Sequence, residues 1–293
     1  MKSRVKNFKV KLRNADVIIR LKGTDELYSS LRKTFLDVSD AEIIPDFDMK
    51  VTENIFININ ENDGVYHCQS AFRNVYSTEP TEVMDWVLNT VGEYIIMTLP
   101  EDEMIMHASA VCIRDKAILL AGDSGSGKTT LSLILAKNGC RYAGDEYVYI
   151  KYRQSMACGE NFPIHIKAGN PLLGEYAPEF LIETYNTESG RKGYALDRSL
   201  TDKKGLKAMY EIGAIVYPIY LAEAEAVGLR QLAIHKFPKK ILSSLIGHEE
   251  NPEILKKIVR MISENKIPVM ELVYSDSEKA QEMLLDFCIK QFI

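Results

Sequence analysis

No stretch of this 293-residue chain approaches the roughly 18 consecutive apolar residues that a membrane-crossing helix needs; the most apolar run near a motif, Ala117 to Ala121, is of strand length. The basic N-terminus, Met1-Lys2-Ser3-Arg4-Val5-Lys6, leads into alternating polar and apolar residues without the apolar core of a signal peptide. These absences predict a cytoplasmic protein with no membrane partner. Positive charge is not in excess either. Lys and Arg number 36 against 41 Asp and Glu, a net charge of −5, so no overall field attracts a phosphate backbone and no nucleic-acid partner is expected. The five cysteines, Cys68, Cys112, Cys140, Cys158 and Cys288, form no CxxC pair, which argues against a zinc site or a redox dithiol and for idle thiols in a reducing compartment. Internal repeats and low-complexity tracts are absent as well.

What is present reads as globular. Hydrophobic residues make up 46% and charged residues 26% of the chain, which excludes disorder as its main state. At about 150 residues per domain the length suggests two domains, or one with additions. The first hundred residues read as a mixed α+β unit without a chemical motif. Val10 to Leu21 alternates in part, and Asp25 to Phe35 suits a short helix capped by Thr24. Ile55 to Ile59 and Val65 to Phe72 suit a hairpin across Asn62-Asp63-Gly64. Thr81 to Thr98 spaces Val83, Trp86, Val87, Val91, Tyr94 and Ile95 as one face of a core-packing helix. Pro100 and Glu101-Asp102-Glu103 break that pattern, placing a boundary between an N-terminal domain of 1–103, available for substrate recognition, and a catalytic domain of 104–293.

In the second domain, Ile105 to Ile113 and Lys116 to Ala121 read as strands joined at Arg114-Asp115. A glycine-rich turn follows, then a helix ending near Asn138-Gly139. Strands are expected over Tyr142 to Tyr152, interrupted at Gly144-Asp145-Glu146, and over Ile164 to Lys167, Ile212 to Leu221 and Ile267 to Val273. Helices are expected over Lys239 to Ile246, Pro252 to Ser263 and Ser277 to Phe292. Asn186 to Gly205 is polar, with few apolar anchors, and reads as a long loop or lid.

The most informative segment is Gly122-Asp123-Ser124-Gly125-Ser126-Gly127-Lys128-Thr129, which fits GxxxxGK[ST] between an apolar strand and an apolar-striped helix. Glycines let backbone N–H groups turn inward around phosphate oxygens, and the helix N-terminus adds partial positive charge there. Gly122 through Thr130 are therefore the candidate nucleotide-binding residues, with Lys128 reaching the β and γ phosphates and Thr129 a candidate Mg²⁺ ligand. Asp145 and Glu146 are the first acidic pair after the helix; one carboxylate can hold a metal while the other accepts a hydroxyl proton. His107 lies fifteen residues ahead of Gly122, and its imidazole nears the cradle if the two flanking strands pair.

The run His107-Ala108-Ser109-Ala110-Val111, the segment Ile118 to Thr129 and Gly144-Asp145-Glu146 together resemble the catalytic domain of the HPr kinase/phosphorylase family. The resemblance covers about residues 105 to 170. It implies an α/β (α+β) fold with a mixed, bent sheet carrying the P-loop, as in phosphoenolpyruvate carboxykinases, beside the smaller N-terminal α+β domain. It also implies ATP and Mg²⁺, and phosphate delivered to a serine hydroxyl. By position Asp145 would be the base, Lys128 would lie at the transferring phosphate, Thr129 and Glu146 at the metal, and His107 near the reacting centre. The family usually has two aspartates at the Asp145-Glu146 position, and the first hundred residues do not resemble its usual regulatory domain. The pattern is closer to divergent HPr-kinase-like proteins that accompany peptide-modifying enzymes, including kinases of lasso-peptide precursors.

Three functions follow as expectations. The first is a Mg·ATP-dependent serine kinase acting on a peptide or small protein. The second keeps the chemistry with a small-metabolite acceptor, and the third is a nucleotide-binding regulatory module without transfer. In the first, the basic stretch Arg191 to Lys204 is a candidate peptide contact. The nucleobase, reversal of the reaction and a homo-oligomeric state are left open.

Overall fold

The computed structural model describes residues 5–35, 55–160, 162–187, 189–197, 208–233, 236–247 and 251–292. They fall into two compact units, one drawn from 1–98 and 163–201 and the other from 99–162 and 202–293. The chain thus leaves its first unit and returns to it.

The first unit opens with β1 (Val5–Lys11) and β2 (Asp16–Lys22), an antiparallel hairpin in the segment where the sequence alternates. Next comes α1 (Asp25–Thr34), capped as expected by Thr24, whose Oγ1 accepts from the Leu27 N–H at 3.2 Å. β3 (Ile55–Asn62) and β4 (Val65–Gln69) pair antiparallel, with Asn62 opposite Val65. Asp63 and Gly64 both have positive φ, 51° and 79°, the requirement of a tight two-residue hairpin turn. With β5 (Asn74–Ser77) the strands form a five-stranded sheet, and α2 (Pro80–Met97) follows. Val83, Trp86, Val87, Val91, Tyr94 and Ile95 are all buried, as the spacing predicts.

The second unit begins with β6 (Met104–Met106), β7 (Ala108–Ile113) and β8 (Lys116–Ala121). The single strand expected over Ile105 to Ile113 is broken at His107. α3 (Lys128–Lys137) follows, then β9 (Arg141–Gly144), β10 (Val148–Lys151) and β11 (Met156–Gly159). The chain then re-enters the first unit as β12 (His165–Lys167), β13 (Leu181–Asn186) and β14 (Arg191–Leu196), an antiparallel three-stranded sheet. Two expectations are corrected here. The domain boundaries of 1–103 and 104–293 leave out this return: β13 packs with α2, and Asn186 Nδ2 donates to Asp85 Oδ2 at 2.9 Å. The segment from Asn186 also begins as a hairpin rather than a loop, while the rest of the expected lid, 198–205, lies outside the described residues.

Back in the second unit come β15 (Tyr210–Tyr220), β16 (Gly228–Gln231), α4 (Phe237–Leu242), β17 (Leu245–Ile246), α5 (Pro252–Glu264), β18 (Val269–Tyr274) and α6 (Ser277–Gln291). The helix expected over Lys239 to Ile246 stops at Leu242 and gives way to β17. Ser244 Oγ donates back to the Lys240 carbonyl at 2.8 Å, a side-chain bond of the kind that competes with helix continuation.

Ten strands form one mixed sheet. β8 and β18 flank β15 in parallel, while β7, β9, β10, β11 and β17 join through antiparallel pairs. The sheet forks at β15, which pairs with β11 over Tyr210 and Glu211 and with β18 from Ile215 onward. β8 is covered on both faces. Ala117, Leu119 and Ala121 join a core with Ile215 and Ile258, whereas Ile118 and Leu120 join another with Leu131 of α3 and Leu284 of α6. Burial on both faces explains why β8 is an unbroken apolar run from Ala117 to Ala121. Among the described residues no helix is long and apolar enough to cross a membrane.

Candidate phosphate and carboxylate site

β8 ends at Ala121 and α3 begins at Lys128, so the glycine-rich segment is a six-residue loop between the end of a strand and the start of a helix. Its glycines have φ values of 140°, 88° and 99° at Gly122, Gly125 and Gly127, which side chains other than glycine rarely adopt. At Gly127 space adds to conformation, because a Cβ there would overlap the Tyr274 hydroxyl at the end of β18. That hydroxyl donates to the Ser126 carbonyl at 3.4 Å, so β18 braces the loop. Lys128 is buried, and its Nζ donates to the carbonyls of Gly122 at 2.8 Å and Asp123 at 3.2 Å.

Asp145 and Glu146 occupy the tight turn between β9 and β10. The Tyr147 N–H donates to the Asp145 carbonyl at 2.7 Å across Glu146, whose φ is 64°, a γ-turn with a strained non-glycine residue at its centre. Gly144 and Gly159 meet back to back just before and beyond this turn; a Cβ on Gly144 would overlap the Gly159 Cα.

The sheet register brings the predicted residues together. Ala108 pairs with Ala121, and Ala110 with Gly144, placing β7 between the cradle strand and the acidic turn. Asp145 is fully buried and is held by two hydroxyls: Ser109 donates to Oδ1, and Thr129 donates to Oδ2 at 2.9 Å. Burial, and then the neighbouring charge of Glu146, raise the Asp145 pKa from 3.8 to about 7, against the opposing pull of both hydroxyls and of Lys128. His107 Nε2 lies 2.8 Å from Glu146 Oε2, with the two side chains 32% and 35% exposed. The hydrogen bonds therefore pair Thr129 with Asp145, and His107 with Glu146. Gly122 to Gly127 form the loop and Lys128 to Thr130 the first helical turn, and Asp123, Ser124 and Gly125 are exposed.

Three contributors are hidden from the motif. Ser109 is a buried lone hydroxyl on the otherwise apolar β7, and that isolation is its only signal. Tyr274 comes from a distant strand and Ser244 from the turn between α4 and β17; the Ser244 carbonyl accepts from the His107 main-chain N–H at 2.7 Å.

No family model matches the chain, and no curated protein matches it. Among solved structures it is similar to the Hpr(Ser) kinase/phosphatase from Coxiella burnetii, with 13% sequence identity, a TM-score of 0.31, and coverage of 64% of this chain and 93% of that chain. Likeness at that level assigns the chain to no family.

Proposed function

We propose that the chain is a Mg²⁺- and ATP-dependent phosphotransferase that moves the terminal phosphoryl group to a serine hydroxyl of a peptide or small protein. One observation carries this reading: the first helical turn of the glycine-rich loop meets a buried carboxylate, through Thr129 Oγ1 and Asp145 Oδ2 at 2.9 Å. A regulatory module that only bound nucleotide would have no need of a carboxylate with a pKa near neutrality beside the cradle.

In this reading the loop amides and Lys128 hold the β and γ phosphates. Asp145 takes the proton of the acceptor hydroxyl as the new O–P bond forms and the bond to the bridging oxygen breaks, leaving ADP. A carboxyl group titrating near 7 is matched to that exchange at neutral pH. Thr129 and Glu146 would hold Mg²⁺, which neutralises charge on the phosphate oxygens. Their hard oxygens suit the ion. Among the described residues no group of three or more His, Cys, Asp or Glu is built to hold a metal alone, which agrees with an ion that binds through one or two carboxylates and the phosphates it accompanies. His107 orients Glu146 through their 2.8 Å contact.

The test is incubation of the full chain with Mg·ATP and candidate precursor peptides encoded beside it, followed by mass spectrometry. Added phosphate on a peptide serine is expected, and Lys128→Ala abolishes it. ATP turnover that modifies only small molecules from a metabolite pool would replace the peptide acceptor with a metabolite. Absence of nucleotide binding would refute the reading.

A further inference from the structure

A cavity of about 780 Å³ opens against the first half of the glycine-rich loop. Its walls are Gly122 to Ser124 with Ser126, the carboxyl end of β15 from Tyr217 to Tyr220, and one side of α4. Crevices beyond the carboxyl ends of adjacent parallel strands are where open α/β sheets bind ligands, and β8 and β15 are such a pair. The charge of this cavity is one-sided. Lys236, Lys239 and Lys240 face it, and among the described residues of its lining Asp123 is the only acidic one.

The lysines are not equivalent. Lys240 is 3.2 Å from the buried carboxylate of Glu271 and lies over the Tyr217 ring, so its charge is already matched. Lys236 and Lys239 are exposed, and among the described residues neither has an ion-pair partner. An ammonium group offers three donors and no acceptor, so its natural occupant is an anion.

The anchoring of α4 says which end of the reaction this wall serves. Ser243 lines the cavity, the Ser244 carbonyl holds the His107 N–H at 2.7 Å, and β17 then pairs with β6, with Leu245 opposite Met106. The wall is therefore fixed beside His107 and, through its ring, beside the Asp145-Glu146 turn. Lys128, Thr129 and Thr130, where the helix begins, do not line the cavity, nor do His107, Asp145 and Glu146; its loop wall is confined to Gly122 to Ser124 with Ser126. The lysines thus sit on the segment whose trailing end holds His107, facing the same cavity as the first half of the loop.

We propose that this cavity seats an anionic group of the phosphoryl acceptor, a carboxylate or a phosphate carried close to the reacting hydroxyl, between Lys236 and Lys239. The inference rests on the phosphotransferase reading and narrows its substrate class to acidic acceptors. No covalent step is added, because the lysines bind and orient.

The test fills the cradle first. The full chain is saturated with Mg²⁺ and the non-hydrolysable analogue AMP-PNP, and inorganic phosphate and malonate are then titrated separately by calorimetry. At least one anion is expected to bind the loaded wild type. In Lys236→Gln/Lys239→Gln it binds about tenfold more weakly or worse, the size expected for losing hydrogen bonds from charged donors, while AMP-PNP affinity is unchanged. A preference for phosphate assigns a phosphorylated acceptor, and a preference for malonate a carboxylate. Failure of both anions to bind the loaded wild type overturns the inference, as does equal binding by the double variant. Loss of AMP-PNP binding in the double variant also overturns it, by assigning the lysines to the donor. Failure of AMP-PNP to bind the wild type is a different result: it refutes the phosphotransferase reading itself, and the inference falls with it. Both lysines are exposed, so matching thermal unfolding of variant and wild type verifies that the fold is intact.

Discussion

Asp145 is a carboxyl group that folding disfavours in its charged form. Burial and the adjacent Glu146 raise its pKa from 3.8 to about 7, so the native state binds this proton more tightly than the unfolded chain does. The resulting stability is complete below the unfolded value and is lost as pH rises through about 7. Without nucleotide, the melting temperature should fall between about pH 4 and about pH 7 and level off above, and Asp145→Asn should flatten that slope. A wild-type slope retained in Asp145→Asn would show that another group causes it. In the same variant nucleotide binding should survive while phosphate transfer is lost; full transfer would remove Asp145 from the role of base. Glu146 raises a second question of stored strain, since it sits at φ 64° at the centre of a γ-turn. Glu146→Gly should be about 1 kcal/mol more stable than Glu146→Ala in denaturant unfolding, because only glycine relaxes at positive φ. Neither variant should keep the His107 contact.

At the scale of elements, two close approaches hold the site. Gly127 gives way to the Tyr274 hydroxyl, and Gly144 to the backbone of Gly159. The second contact is backbone against backbone and cannot yield, so Gly144→Ala should cost about 3 kcal/mol in overlap and strained φ together. The first ends on a hydroxyl that can be removed. Gly127→Ala should destabilise the fold and abolish nucleotide binding, and adding Tyr274→Phe should recover part of the stability, a coupling that a double-mutant cycle measures. No recovery would mean that the φ of 99°, rather than the overlap, sets the cost.

These elements also show what the chain's pattern reveals. The cradle, the acidic turn and the helices follow from local spacing, which needs no knowledge of the rest of the molecule. Ser109, Tyr274 and the α4 lysines reach the site only through strand register, and spacing along the chain carries no trace of that. The β13–β14 hairpin escaped for a different reason. The inward places on its two strands include Thr184 and Gly193, where the His165 ring fills the room a side chain at Gly193 would take, so the usual apolar alternation is missing.

For the molecule as a whole, a net charge of −5 is compatible with holding a triphosphate, because the loop amides and Lys128 supply donors and positive charge locally. Thermal unfolding reads this directly. Mg²⁺ alone should shift the melting temperature little, since the described residues hold no ready-made metal cluster, whereas Mg·ATP at a hundred times its Kd should add about 2.7 kcal/mol. An equal shift from Mg²⁺ alone would contradict the view that ion and nucleotide arrive together. The His107 main-chain bond to Ser244 has a consequence of its own. It ties the break between β6 and β7 to the trailing end of α4, so the imidazole and the two lysines ride on one hydrogen-bonded frame. An acidic guest that draws α4 inward tugs the histidine along the same line, and the His107 ring should report occupancy of the cavity as a shift in its NMR signals before any phosphate has moved.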